Sequence, residues 1–411
     1  MPIPAFRYAS AGRGMSDAPT YSPQTLVDEL RSAGHLHDER VRDAFLNVPR
    51  HIFLPDVTPE QAYRDQTISL ALDDKGRAVV ADTMPSMVAD LMDGLKLREG
   101  LNVLHIGTGT GYSAALIKHA VGVGGRVTTI EIDRDVAHSA EAALSRAGFS
   151  SVKIVHADGA EGYAPRAAYD RMAVHVGVWD ISPMWKRQIK PDGVIVVPIW
   201  LDGLQVIAPF ALRDDGTLYA DNIRPGAFVY IRGREAMPPY RRHVGSTALT
   251  LLADDIEQLD MAALSLLLSQ DQEAGNHLSL SLSNDDYWYG FLPYMALHEL
   301  SPDIFALYSI DGGRSAYGMT DEGFAYFTPA SACFVPYGGG GATHTFASAD
   351  AFMEVERLLA GWQAAGRPRM EQLRLRLIPR SHGIPPDALH GKIYPRRDHF
   401  LHAWLEPAPT S

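Results

Sequence analysis

A chain of 411 residues that is 46% hydrophobic and 21% charged has the make-up of a soluble globular protein, with two domains as the default. Its formal net charge of −12 argues against non-specific binding to nucleic acid or to an anionic membrane. Cys333 is the only cysteine, which excludes an intrachain disulfide and a cysteine-based zinc site and fits a cytoplasmic location.

No apolar run reaches the ~18 residues of a spanning helix. The opening MPIPAFRYASAGRGM lacks the apolar core of a signal peptide, and residues 1–22 read as a disordered tail. Residues 23–48 predict two helices, the second over 37–47, because Leu26 and Leu30, then Val41, Phe45 and Leu46, recur at helical period. They form an N-terminal helical layer. Pro49-Arg50-His51 breaks the pattern, and Ala62-Tyr63-Arg64-Asp65 leads into an extended segment over 66–72. Asp73-Asp74-Lys75-Gly76 reads as a hairpin turn, with a strand returning over 78–81. Thr83-Met84-Pro85-Ser86 opens a helix running to Leu95, with Thr83 as its N-cap and Pro85 in the first turn.

Residues 103–133, VLHIGTGTGYSAALIKHAVGVGGRVTTIEID, organise the chain. A buried strand over 101–106 runs into Gly107, Gly109 and Gly111. Residues 112–121 read as a helix and 126–132 as a second strand. In such a βαβ unit the glycine turn lets a ligand lie against bare backbone and faces it with free helix N–H groups. Glu131 ends the second strand about 20 residues later, where an acid can accept both hydroxyls of a ribose. A dinucleotide pattern requires glycine at position 112, which is Tyr. The compact G-x-G-x-G form suits S-adenosylmethionine better, since no pyrophosphate has to be cradled. Taken alone, the glycines are equally compatible with a turn that binds nothing; Glu131, and Asp158 after the next strand, weigh against that.

Residues 136–147 form a helix closed by Gly148. A strand over 152–156 leads to Ala157-Asp158-Gly159. Further buried strands lie at 172–176 and 194–199, with Lys190-Pro191-Asp192-Gly193 as a turn before the latter. This alternation predicts a mostly parallel sheet covered on both faces. After Ile199 the pattern changes. Residues 205–212 and 227–231 look antiparallel, and 232–242 is polar and reads as a linker. Beyond it, helices over 256–268 and 351–364 and strands over 305–310, 324–327 and 373–378 describe a C-terminal α+β domain.

The order of these pieces resembles the protein-L-isoaspartate O-methyltransferase family over residues 26–231. The resemblance is carried by Asp38-Glu39-Arg40-Val41, Val48-Pro49-Arg50-His51-Ile52-Phe53, Ala62-Tyr63-Arg64-Asp65, and Pro85 with Met87, Val88 and Ala89. It continues through HIGTGTGY, TIEID, ADGAEGY, YDRMAV, KPDGVIVVPI and GAFVYIRG. It implies a Rossmann-like class I S-adenosylmethionine methyltransferase core over residues 23–231, with an accessory substrate-recognition domain over 232–411. The implied cofactor is S-adenosyl-L-methionine, and the implied substrate a peptide or protein bearing Asp or isoaspartate, with no role for nucleic acid or membrane. Carried over residue by residue, it places Gly107, Gly109 and Gly111 beside the methionine portion of the cofactor. Glu131 falls on the ribose hydroxyls and Asp158 on the adenine amino group. His105, Thr108, Ile132 and Gly159 complete the cofactor set. Thr83 stands where the family has its active-site hydroxyl, with Val176 on the substrate side; Trp179, in a segment that replaces the family's usual small residues, is as compatible with core packing as with facing the substrate. Gln66-Thr67-Ile68-Ser69 spells the family's letters but lacks the Pro-x-Met helix start that follows Thr83.

The chain departs from the family at His105, where an acid is usual, at Thr83 for Ser, at Val176-Gly177-Val178-Trp179-Asp180, and by its C-terminal addition. Those departures resemble the branch encoded with ribosomally made, modified peptides such as lanthipeptides, lasso peptides and ATP-grasp-cyclised peptides. That branch implies methylation of a precursor aspartate whose ester collapses to a succinimide. General repair of isoaspartate in proteins is the alternative, and His105 keeps open a cofactor-binding scaffold without catalysis. His298-Glu299 does not form an H-E-x-x-H site, and the motifs predict no metal. Oligomeric state is not legible.

Overall fold

The computed structural model describes residues 21–72, 78–254, 256–270, 272–273, 276–299, 302–310 and 314–407. The turn expected at Asp73-Asp74-Lys75-Gly76, and the expected tail up to Thr20, lie outside them. The chain forms two compact units. The first takes the chain as far as Ile199, then Ile207–Ala220 and Gly226–Ala236; the second takes Trp200–Val206, Asp221–Pro225 and Met237–Ser411. The division is thus discontinuous in sequence, where a single boundary at 232 was the expectation.

In the first unit, α1 (Pro23–Ser32) starts at Ser22, whose hydroxyl accepts from the Thr25 amide, and α2 (Glu39–Asn47) starts at Asp38, whose carboxylate accepts from the amides of Arg40 and Val41. Such caps satisfy amides that have no partner within the helix. The buried faces are Leu26, Val27 and Leu30 on α1, and Val41, Ala44 and Phe45 on α2. Strand β1 (Ile68–Leu72) pairs antiparallel with β2 (Ala78–Asp82). Helix α3 (Pro85–Leu95) follows, with Pro85 in its first turn, but its N-cap is Met84 and not Thr83. The Asp65 carboxylate accepts from the Ser86 amide at 2.8 Å, so an acid from another segment satisfies the helix start.

Behind these lies the main sheet. Its strands are β3 (Asn102–Ile106), β4 (Arg126–Glu131), β5 (Lys153–His156), β6 (Tyr169–Val174), β7 (Ile189–Leu201) and β8 (Leu204–Leu212), in the order β8-β7-β6-β3-β4-β5. The pairs β3–β4, β3–β6, β4–β5 and β6–β7 are parallel. Helices α4 (Tyr112–Val121), α5 (Arg134–Arg146) and α6 (Pro183–Gln188) make the crossovers. Strand β3 is buried along its whole length, as a central strand covered on both faces must be. Order reverses beside β3, and ligands in such sheets collect at the carboxyl ends of the strands there. Two expectations need correcting. The Lys190-Pro191-Asp192-Gly193 turn is absorbed into β7, with Asp192 at φ 61°. Residues 227–231 form no regular strand; Gly177 bridges Tyr230 in isolation, its amide donating to Val229 O while Ile231 N donates to Gly177 O.

The second unit carries a seven-stranded antiparallel sheet, whose central strands Ile304–Ile310, Gly323–Phe327 and Ala332–Pro336 pair in turn. Helix Asp350–Ala364 buries Val355, Leu358, Leu359 and Trp362 in one core with Tyr287, Phe291, Met295 and Phe324. A separate antiparallel group pairs His399–Leu405 with Leu373–Pro379 and Lys392–Pro395. Among the described residues no helix is long and apolar enough to cross a membrane.

Inside this unit Lys392 donates to Asp202 at 2.9 Å, to Ala296 O at 3.0 Å, and to Glu299. Burial, with Glu299 alongside, pushes the Asp202 carboxyl well above the usual range, so the lysine holds two acids that repel each other. Lys392→Met should cost about 3–5 kcal/mol of stability, the range for breaking a buried pair. Denaturant unfolding checks this; an unchanged midpoint would show that the cluster contributes nothing net.

Candidate active site

The carboxyl ends of β3, β4 and β6 open onto a cleft of about 560 Å³, its open mouth included, within the size range of small-molecule sites. Gly107, Gly109, Glu131, Ile132, Gly159 and Val176 line it, and so do Ala81, His175 and Arg232. The structure thus brings six of the sequence-predicted residues together around one cleft. Gly107 has φ 87°, and a Cβ there would lie 3.0 Å from Val176 Cγ1, so the turn needs glycine for both its backbone angle and its closeness to the β6 end.

Most amides of the turn are already engaged within the protein. The amides of Gly107 and Thr108 both donate to Ile130 O, and that of Gly111 to Thr108 O. Gly109 N donates to Glu131 Oε2 at 3.1 Å, and Tyr112 N donates to Thr110 Oγ1 at 3.2 Å. The loop is bound to its own protein, and the carboxylate of Glu131 is what it presents. Glu131 also accepts from Ile132 N at 3.0 Å and Asp133 N at 3.1 Å, and the Arg232 guanidinium lies 3.7 Å away. These bonds fix the carboxylate while leaving it lone pairs for further donors.

Asp158 does not line the cleft beside Gly159 but staples its rim. Its oxygens accept from Ala160 N at 2.9 Å and from Arg234 N at 2.7 Å. Arg234 Nη1 donates to Glu161 at 2.9 Å. Gly233, at φ 86°, sits where a Cβ would collide with the Asp158 carboxylate. Arg234 did not stand out in the sequence, because it falls in a polar stretch that reads as a linker, and Arg232, although it lies in the GAFVYIRG motif, carries no role there.

A buried ion pair adjoins the cleft-lining residues of β2. Arg50, wholly buried, donates to Asp82 Oδ2 from Nε at 3.0 Å and from Nη2 at 2.6 Å, and to Ala62 O at 2.7 Å. It reaches Thr83 O at 3.3 Å as well. The other Asp82 oxygen accepts from Thr110 Oγ1 at 2.7 Å, which ties the pair to the glycine turn. Thr83 is half-buried at the junction of β2 and α3. Trp179 is half-buried just past Val178, which bridges Ile199.

His105 is fully buried and does not reach the cleft itself. Its Nδ1 is 2.7 Å from Thr129 Oγ1, which is 2.7 Å from Thr108 Oγ1, and its Nε2 is 2.9 Å from His175 Nδ1. The rings meet edge to face, with centroids 4.6 Å apart. Burial pushes the His175 imidazole down to about 3. Burial and the neighbouring His175 hold His105 well below the ordinary histidine range. Both rings are therefore neutral at physiological pH. The sequence signal for His175 is its place one residue past β6, at the end of a parallel strand where ligands bind.

Residues 21–236 match the family model of protein-L-isoaspartate(D-aspartate) O-methyltransferases. A protein-L-isoaspartate O-methyltransferase from Methanopyrus kandleri is 33% identical over 213 residues, 52% of this chain and 92% of its own. One from Methanococcoides burtonii is 38% identical over 174 residues, 42% of this chain and 82% of its own. A solved protein-L-isoaspartate O-methyltransferase aligns with 86% of this chain and 96% of its own, at 23% identity and TM-score 0.49.

The neutral imidazole pair makes the first unit acid-sensitive. Burial lowers the His175 imidazole from its ordinary 6.5 to about 3 on folding, so between those values the unfolded chain binds more protons and stability falls as pH falls. The unfolded imidazole is half protonated at pH 6.5 and nearly fully protonated at pH 5, so its contribution drops by about 1.7 kcal/mol between them. Denaturant unfolding of His175→Phe should therefore lose less stability than wild type between those two pH values. Equal losses in both proteins would mean that His175 is not the group responsible.

Proposed function

The chain belongs to the protein-L-isoaspartate(D-aspartate) O-methyltransferase family, and from that premise we propose that its cleft holds S-adenosyl-L-methionine for methylation of an isoaspartyl carboxylate in a protein or peptide. The observation that carries the reading is Glu131, a buried carboxylate fixed by three backbone amides at the end of β4, beside a glycine turn that leaves room for a ligand. In this reading Glu131 accepts the ribose hydroxyls. Gly107 and Gly109 let the methionyl portion lie against backbone, and Ile132 and Gly159 flank the adenosine.

The bound cofactor supplies a methyl group on a sulfonium. The protein need not supply a base, because a substrate carboxylate with a pKa near ~4 is already ionised at neutral pH. Its task is alignment and dryness. Opposite charges cancel as the methyl moves, so water, which stabilises separated ions, slows the step. Thr83 donates a hydrogen bond that aims the carboxylate, and Val176 and Trp179 keep that side apolar.

A second reading narrows the substrate to an aspartate of a ribosomally made precursor peptide, its ester closing to a succinimide. What supports it is Thr83 in place of Ser, the Val176-to-Asp180 segment, and the second unit, nearly all of which lies beyond the family match at 21–236. In that case the second unit would serve substrate recognition. The names of the relatives support the isoaspartyl reading better. Radiolabelled methyl transfer to a generic isoaspartyl peptide, compared with its aspartyl twin, decides: label on the isoaspartyl peptide is expected. Label on neither generic peptide, but on a precursor encoded beside the gene, would favour the second reading.

Thr83→Ala should lower turnover on the order of 100-fold, the penalty for a misaligned reactant, and leave S-adenosylhomocysteine affinity intact. Since Met84 is the N-cap of α3, melting temperature should barely move. Single-turnover rates and calorimetry on one preparation check this; a wild-type rate would remove Thr83 from the substrate side.

A further inference from the structure

Four side chains form a hydrogen-bonded row through the centre of the first unit: Thr108, Thr129, His105 and His175. They come from the glycine turn, β4, β3 and the residue after β6. Parallel register sets His105 beside Thr129 on one side and beside Ala173 on the other, which brings His175 within reach at the β6 end. The row is continuous, at 2.7, 2.7 and 2.9 Å. It stops at His175 Nε2, a buried atom without a hydrogen-bond partner among the described residues, in a residue that lines the cleft. Buried polar atoms are paired as a rule, so an exception at a cleft wall points to a ligand.

We infer that His175, oriented by His105, accepts a hydrogen bond at Nε2 from the α-ammonium of the cofactor's methionyl group. The inference rests on the cofactor reading of this cleft. The sign of the ligand follows from the surroundings. The amides of Gly107, Thr108, Gly109 and Gly111 are all committed within the protein, so an anion gains no donor from them. Glu131 adds a negative charge to the same cleft, and the Arg232 guanidinium 3.7 Å from that carboxylate is already drawn to it. An ammonium brings its own donors, one of which the lone pair of His175 Nε2 can accept.

The tautomers are then set as a series. His175 Nδ1–H donates to His105 Nε2, His105 Nδ1–H donates to Thr129 Oγ1, and the Thr129 hydroxyl donates to Thr108 Oγ1. That order leaves a lone pair on His175 Nε2. Burial holds this imidazole near 3, far below an α-amino group at about 8, so the proton stays on the ammonium. His175 is a binding residue in this scheme, and His105, which touches no ligand, is a positioning residue.

Calorimetry with two probes tests this. S-adenosylhomocysteine carries the ammonium; 5′-methylthioadenosine keeps the adenosine and thioether and lacks it. His175→Phe keeps the ring's bulk and removes the acceptor. It should weaken S-adenosylhomocysteine about tenfold and leave 5′-methylthioadenosine unchanged. His175→Gln, which retains an acceptor oxygen, should recover part of the loss. A readout independent of any variant is the 15N signal of His175 Nε2 in the wild type, which should shift with S-adenosylhomocysteine and not with 5′-methylthioadenosine. Wild-type affinity in His175→Phe, equal loss of both probes, or equal 15N shifts would overturn the inference. If the wild type binds neither probe, the cofactor reading itself fails and takes this one with it.

Discussion

The pair of Arg50 with Asp82 is the constraint on which the first unit's architecture depends. A guanidinium with no solvent exposure is tolerable only if its donors are all engaged, because an unpaired buried charge is far more costly than the pair is stabilising. Here the donors reach Asp82, Ala62 O, Arg64 O, Gln66 O and Thr83 O. Those acceptors belong to separate stretches of the chain. The segment after Tyr63, the end of β2 and the approach to α3 must all be in place before Arg50 is satisfied. Thr110 then extends the constraint to the glycine turn through the second Asp82 oxygen. One ion pair therefore ties the segment at 62–66, the end of β2 and the glycine turn to one another.

Much of this was legible in the sequence, and the failures have physical causes. Local period and turn chemistry located α4 at residues 112–121 and the acid at the end of β4. They did so because a buried parallel strand and a glycine turn each leave a mark within a few residues. The Lys190-Pro191-Asp192-Gly193 turn misled for the same reason. Its letters are those of a turn, but the backbone spends Asp192 at φ 61° on an irregularity inside β7 instead of ending the strand. Thr83 looked like an N-cap because it precedes Pro85; the cap is supplied by Asp65, 21 residues away, and no local pattern encodes that. The discontinuous division into units is of the same kind, since segments 200–206 and 221–225 differ little in composition from their neighbours.

His105 shows what a departure from a family pattern can and cannot tell. From sequence it is only a departure, a ring where the family has an acid. In the fold it is one member of a hydrogen-bonded row whose far end is 70 residues further along the chain. His175 gains its meaning only when β3 and β6 lie side by side, so the substitution could not be interpreted at the position where it occurs.

The same logic extends to the charge economy of the cleft. An enzyme that joins a carboxylate to a sulfonium works best where the reacting charges are not competed for by water or by other ions. The first unit meets this by spending its polar groups on itself. The amides of the glycine turn close onto Ile130, Thr108 and Glu131, the Asp158 carboxylate closes onto Ala160 and Arg234, and the strongest cation, Arg50, closes onto Asp82. Replacing an acid with a neutral imidazole pair takes one more charge away from the reacting centre while keeping an acceptor there. What the cleft presents is the Glu131 carboxylate with the Arg232 guanidinium beside it, and apolar side chains with bare backbone around them.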